Sequence, residues 1–218
     1  MAFAHNAMLR GLNAIYLQAP HVPTEDAPDF MFFIATWSGW VLHHHVLEET
    51  QMFPGFEAVP GICPGALQGN VDQHHAFSEG LTALQTYATS TKPESYSGDR
   101  VQSLINEFAT QLREHLADEI TTLWSLESCG DENSQKLLEV YQKAEAEAGR
   151  QDKNLIPPMV LGLCDSTFQG GNNWPVMPMG SSFFVHYIFG RKHRGAWRFL
   201  PCDTWRNPRP LAFVGGKE

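Results

Sequence analysis

The 218-residue sequence is poor in cysteine and has no long apolar run, and both absences limit the class of protein. Its four cysteines, Cys63, Cys129, Cys164 and Cys202, lie far apart without a CxxC pair, and no charged-then-apolar leader precedes them. This pattern predicts reduced thiols and a cytoplasmic protein. No stretch approaches the roughly 18 apolar residues of a membrane span, so no membrane span is expected.

Positive charge is also scarce. The chain has 15 Lys and Arg against 24 Asp and Glu, which gives a net charge of −9. Binding to nucleic acid requires a basic patch that neutralises phosphates, so no nucleic-acid partner is expected. The imbalance is concentrated in residues 1–150, with 7 basic and 20 acidic residues, whereas residues 151–218 have 8 and 4. The basic end could therefore dock on the acidic remainder.

Apolar residues at helical spacing dominate residues 1–149. They predict four long helices, at 5–18, 29–53, 67–89 and about 99–126, and a shorter fifth helix at 132–149. Pro54 is expected to end the second helix and Asp99 to cap the fourth. Long helices with short connections predict an all-α, up-down four-helix bundle. Residues 150–218 are rich in Pro, Gly and aromatics, and only "SSFFVHYIFGRK" looks regular, so this part is expected to cap the bundle as a mostly irregular extension.

Each long helix places a histidine on its apolar stripe, and two of them add a glutamate four residues later on the same face. A single histidine on an apolar stripe is most often a core residue with a hydrogen-bond partner. Four histidines that face the same bundle interior need another explanation. Buried carboxylates are costly without a counter-charge, and the inner stripes supply no Lys or Arg. Imidazole and carboxylate without thiolate suit iron or manganese, and zinc to a lesser degree. The candidate ligands are His5, His44, Glu48, His74, His115 and Glu119.

The register of the second helix is ambiguous, because His45 and Glu49 repeat the spacing of His44 and Glu48. The stripe through Trp37 favours His44. On that reading His45 is expected outside the metal-binding set, and Glu49 is expected to orient a ligand imidazole.

The segments "HHHVLEETQMFP", "DQHHAFSEGL" and "HLADE" resemble the hemerythrin-like family with its HHE cation-binding domain, over residues 1 to about 128. The segments "CDSTFQGG" and "WPVMP" resemble the C-terminal extension of its fungal members, which implies a fungal source. The resemblance implies a bundle of hemerythrin type and a dinuclear non-haem iron site. The six candidate ligands above would bind it, with Glu48 and Glu119 as bridges.

One position departs from the family pattern. The third helix of the family reads HxxxH, but Ser78 stands four residues after His74. Either a neighbouring side chain, Glu79 or His75, fills the gap, or Ser78 leaves a coordination position to water.

The same bundle can carry oxygen, sense oxygen or iron, store metal, or activate oxygen. The gap at Ser78 favours activation. The sequence is therefore interpreted as an O2-dependent non-haem diiron oxidase or oxygenase, with dioxygen and a small organic molecule as partners and Glu48, Glu119, Ser78 and Glu79 as the catalytic positions. The alternatives are a protein that binds, senses or stores oxygen or iron, and an enzyme that uses metal without redox chemistry. Substrate and oligomeric state stay open.

Overall fold

The computed structural model describes residues 1–126, 131–168 and 170–214, without the side chains of residues 131 and 132, so Cys129 lies outside the described part. Four long helices form the body: α1 (Ala2–Gln18), α2 (Ala27–Leu47), α4 (Gln68–Ser90) and α5 (Gly98–Ser125). No strand occurs among the described residues, where a single bridge joins Cys202 and Pro208. The all-α prediction is confirmed.

The four long helices surround one apolar core; short connections join α1 to α2 and α4 to α5, whereas the longer segment 48–67 joins α2 to α4. Helix α4 packs between α2 and α5, and α1 closes the bundle against α5 and α2. The largest buried side chains of this core include Trp37, Phe77 and Phe108. The end of the bundle that carries the histidines lies beyond this apolar layer.

Two sequence predictions about helix ends are wrong. The helical path continues from α2 through a five-residue π-helical segment, Glu48–Met52, into the short helix α3, Phe53–Glu57. Pro54 lies in the first turn of α3, where its missing N–H needs no partner, so it does not end the helix. At the start of α5 the cap is Ser97, whose hydroxyl accepts a hydrogen bond from the Arg100 amide at 3.3 Å, and Asp99 lies in the first turn.

Helix α6 (Asp131–Ala148) packs across the α2 end of the bundle, against α2, the π-helical segment and α3. It forms a second, smaller apolar cluster with Met52, Phe53 and Phe56. This helix therefore covers the side of the bundle where α2 changes to π-helical geometry.

The C-terminal part contains α7 (Ile156–Leu163), α8 (Ser181–Tyr187) and α9 (Arg194–Trp197). Helix α8 lies in the segment predicted to be regular, whereas α7 was not predicted. Apolar side chains of this part belong to the same core as the bundle, and the ring of Phe199 lies 4.8 Å from that of Phe30. The Gln18 amide donates to the Phe199 carbonyl at 2.8 Å, which fixes the C-terminal part against α1.

None of the helices in the described ranges combines the length and the apolarity needed to cross a bilayer.

Candidate metal centre

Five histidines and two glutamates from five helical elements meet inside one end of the bundle. All of them are buried except His44, whose side chain is 17% exposed. Helices α1 and α4 each supply one histidine, and the end of α2 supplies two. The π-helical segment supplies one glutamate, and α5 supplies a histidine and a glutamate. The residues are His5, His44, His45, Glu48, His74, His115 and Glu119.

These donors form two sets in which the ligand atoms lie within 4.8 Å of one another. The first set is His5, His44, Glu48 and Glu119, and the second is His45, Glu48, His74 and His115. Glu48 belongs to both sets.

The two carboxylates each lie between the sets. Glu48 Oε1 is 2.8 Å from His44 Nε2, while its Oε2 is 3.5 Å from His74 Nε2. Glu119 Oε2 is 3.0 Å from His5 Nε2 and 3.9 Å from His115 Nε2. Each glutamate thus faces imidazoles of both sets, which is the arrangement required to bridge two ions.

Hydrogen bonds at Nδ1 hold three of the imidazoles in one tautomer. His5 Nδ1–H donates to the Leu116 carbonyl at 2.8 Å, and His74 Nδ1–H donates to Glu49 Oε1 at 2.7 Å. His115 Nδ1–H donates to Gln73 Oε1 at 3.2 Å, and the Gln73 amide nitrogen donates in turn to Asp118. Because each Nδ1 carries the proton, each Nε2 presents a lone pair to the interior.

These ligand residues fit a metal because they present hydrogen-bond acceptors to the interior without matching hydrogen-bond donors. With both Nδ1 atoms protonated, His74 Nε2 and His115 Nε2 are two lone pairs only 3.1 Å apart. Two nitrogens bound to one ion at about 2.1 Å have a similar separation. Both oxygens of Glu48 and of Glu119, and both ring nitrogens of His45, are buried without a hydrogen-bond partner among the described residues. Such groups are costly unless a cation binds them.

Three of the neighbouring imidazoles do not supply that positive charge. Burial lowers the pKa of His44 and His74 to about 4, and that of His115 to about 3, so these imidazoles are neutral at pH 7. Burial and the charge of Glu119 raise the pKa of Glu48 well above its usual value. The raised pKa favours the protonated form of Glu48 when no cation is bound.

Acid is expected to destabilise the protein between about pH 6.5 and pH 4. His44, His74 and His115 have pKa values below the value of 6.5 expected in the unfolded chain. The unfolded state therefore binds more protons in this range, and the free energy of unfolding decreases as the pH falls. Protonation also competes with metal binding, so metal content should decrease over the same range. Thermal melting and metal analysis between pH 8 and pH 4 measure both effects, and a melting temperature that stays constant from pH 7 to pH 4.5 would contradict the expectation.

The structure brings together all six residues that the sequence nominated as ligands, and it adds His45. That residue was expected outside the set, but it is only 3% exposed, and its ring lies 4.5 Å from that of His74. Its spacing of three residues from Glu48 was the available signal, because residues three apart also share a helix face. Glu49 contacts the His74 imidazole as expected, whereas Gln73 was not singled out.

Ser78, Glu79 and His75 lie outside both donor sets. The Ser78 hydroxyl donates to the His74 carbonyl of its own helix at 2.6 Å, so it faces the backbone instead of the centre. Glu79 and His75 are exposed. The imidazole missing from α4 therefore has a counterpart in His45 of α2, and neither neighbouring side chain of Ser78 fills the gap.

A cavity of about 100 Å³, open to solvent, reaches the centre from one side. His44 and Glu48 form part of its wall, and the remainder comes from Met1, α1, α2, the π-helical segment, α6 and Trp174. The first donor set is therefore accessible to a small molecule, whereas the second set lies deeper in the bundle.

Comparison with known proteins agrees with this geometry. A family model described as hemerythrin HHE cation binding domain matches residues 1–124. The chain is also 36% identical over 220 residues to the "Dimeric xanthone biosynthesis cluster protein R11" of Cryptosporiopsis sp. (strain 8999), an alignment that covers 100% of this chain and 83% of that relative. No solved structure matches the chain significantly.

Proposed function

Because the chain belongs to the hemerythrin family of HHE cation-binding domains, we propose that it is an O2-dependent non-haem diiron oxidase or oxygenase acting on a small organic molecule. Each donor set would hold one iron ion, and Glu48 and Glu119 would bridge the two. Iron held by imidazole and carboxylate supplies one-electron and O2 chemistry when bound. The relative from a xanthone biosynthesis cluster supports a role in the conversion of an organic compound.

The cavity beside the first donor set is the observation that carries the proposal. A protein that only carries oxygen has to admit a diatomic molecule, whereas a cavity of about 100 Å³ that ends at His44 and Glu48 admits a larger one. A substrate bound there would lie against a ligand imidazole and a bridging carboxylate, which is the position required for reaction.

The surrounding residues orient the donors and exclude water from the deeper set. Glu49 and Gln73 fix the imidazoles of His74 and His115 through Nδ1. The ring of Phe77 lies 4.9 Å from that of His45 and 5.4 Å from that of His115. Because this apolar side chain adjoins the second set, exchange with solvent would occur through the cavity at His44.

Reversible oxygen binding is the second candidate function, and His45 favours it. A carrier needs a coordination sphere filled by imidazole apart from one opening, and His45 returns the histidine that Ser78 removes from α4. The two functions differ in what happens to oxygen, so a direct measurement separates them.

Oxygen uptake by the reduced, iron-loaded protein tests the proposal. An oxidase or oxygenase is expected to consume oxygen repeatedly when a convertible organic substrate is present, and Glu119→Gln should abolish the uptake because it removes a bridging charge. His43→Ala is the matched control, because His43 belongs to neither donor set. If the protein takes up one equivalent of oxygen and releases it unchanged under vacuum with every substrate tried, the carrier function replaces the proposed one.

A further inference from the structure

The cavity beside the first donor set has two indole side chains in its wall. Trp40 lies one helical turn before His44 on α2, and Trp174 reaches the same space from the C-terminal part. The Trp174 carbonyl accepts a hydrogen bond from Arg206 at 3.2 Å, which helps to hold this segment in place. Trp40 is buried and Trp174 is half-buried, and both pack in part against the apolar core, so the remaining part of each indole is what a ligand in the cavity would contact.

Helix α6 forms the opposite wall with side chains at positions 141, 144, 145 and 148, which share one face of the helix. Ala144 and Ala148 are small, so the space between α6 and α2 stays open. Tyr141 and Glu145 are the polar groups of this wall. Burial raises the pKa of Tyr141 to about 12, so its hydroxyl stays protonated and can donate a hydrogen bond.

We propose that this cavity binds a hydroxylated aromatic ring, a phenol, as the substrate of the metal centre. This inference rests on the proposed function and specifies its substrate class. The ring would pack between the indoles, Leu47 and Met52, while its hydroxyl would exchange hydrogen bonds with Tyr141 or Glu145.

The composition of the wall selects for an aromatic ring. Indole faces stabilise aromatic partners beyond the burial of area, and a methionine sulfur adds a favourable contact with a ring edge. A saturated ring of equal size gains only the burial of area. A hydroxyl suits the polar groups of the α6 wall, because Tyr141 can donate a hydrogen bond to it and Glu145 can accept one from it.

The size of the cavity limits the ligand to about one ring inside the wall. An enclosed cavity of about 150 Å³ holds benzene, and this open cavity of about 100 Å³ is of the same order. A larger polycyclic phenol would therefore bind with one ring inside and the remainder directed towards solvent.

Equilibrium dialysis of the metal-loaded protein under nitrogen tests the preference without turnover. The two probes are 4-ethylphenol and 4-ethylcyclohexanol, which differ in the aromatic ring and share the hydroxyl and the ethyl group. We expect 4-ethylphenol to bind about tenfold more tightly, as two indole contacts would provide. Equal binding of the two probes, or no measurable binding of the phenol, would overturn the proposal.

A cavity-filling variant locates the binding. Ala148→Leu inserts three carbons into the α6 wall and is expected to weaken binding of 4-ethylphenol by at least about tenfold. Ala146→Leu is the matched control, because Ala146 is exposed on the same helix and does not line the cavity. Unchanged affinity in Ala148→Leu, with a melting temperature like that of the control, would show that the phenol binds elsewhere.

The outcomes separate this inference from the proposed function. A tight phenol complex without oxygen uptake would retain the binding site and refute the oxidase. Oxygen uptake with a non-aromatic substrate and no phenol binding would retain the oxidase and refute the substrate class.

Discussion

Replacing Glu48 with glutamine is expected to remove metal from both donor sets at once. Glu48 is the residue that both sets share, with one oxygen near His44 and the other near His74. The amide keeps the size of the side chain but loses the charge that bridges two cations. Metal analysis should show a decrease from about two ions per chain to fewer than one, since loss of even an outer-shell partner lowers metal affinity by about 10–100-fold.

The effect of the same substitution on stability should depend on whether metal is present. Metal that binds only the folded state stabilises it by about 4 kcal/mol at a concentration 1,000 times its dissociation constant. For a chain of this size that corresponds to a melting temperature about 10 °C higher, so Glu48→Gln should melt well below the unmodified protein when iron is present. With excess chelator the difference should disappear or reverse, because the variant buries one carboxyl group fewer.

Glu79→Gln provides the matched control, because Glu79 is an exposed glutamate of α4 outside both sets. It should keep full metal content and an unchanged melting temperature. A Glu48→Gln protein that retains both ions would refute the shared role of Glu48.

His45→Ala is expected to release one ion, the one held by the second set, because it takes away one of the three imidazoles of that set. Adding Ser78→His should restore the ion. Ser78 lies one turn after His74 on α4, so a histidine at this position can direct an imidazole towards the same centre. Metal analysis of the single and the double variant measures both effects.

The control for this rescue is the pair His45→Ala with Ser78→Leu, which fills the same space without a ligand atom. This double variant should bind one ion fewer than the unmodified protein. If His45→Ala retains both ions, or if histidine and leucine at position 78 give the same metal content, His45 does not replace the missing imidazole of α4.

Most of the bundle followed from the periodicity of the sequence. Apolar stripes marked α1, α4 and α5 to within a few residues, because a long amphipathic helix has the same period wherever it packs. The second stripe covered α2 but continued through the π-helical segment to Phe53. The stripes also showed that His74 and His115 face the interior. Helix α7 was not predicted because "IPPMVLGL" is apolar on all sides, and a helix that is buried on all sides has no periodic pattern.

The sequence determined which residue types surround the centre, and only the tertiary structure decided how they divide into two sets. Adjacent residues of a helix differ in direction by about 100°, which in an isolated helix makes His44 and His45 alternatives. In the bundle, α2 contacts α1 and α4 at once. His44 can therefore face His5 of α1, with 5.6 Å between the rings, while His45 faces His74 of α4 at 4.5 Å. Periodicity describes one helix, whereas the second imidazole depends on which two helices lie beside it.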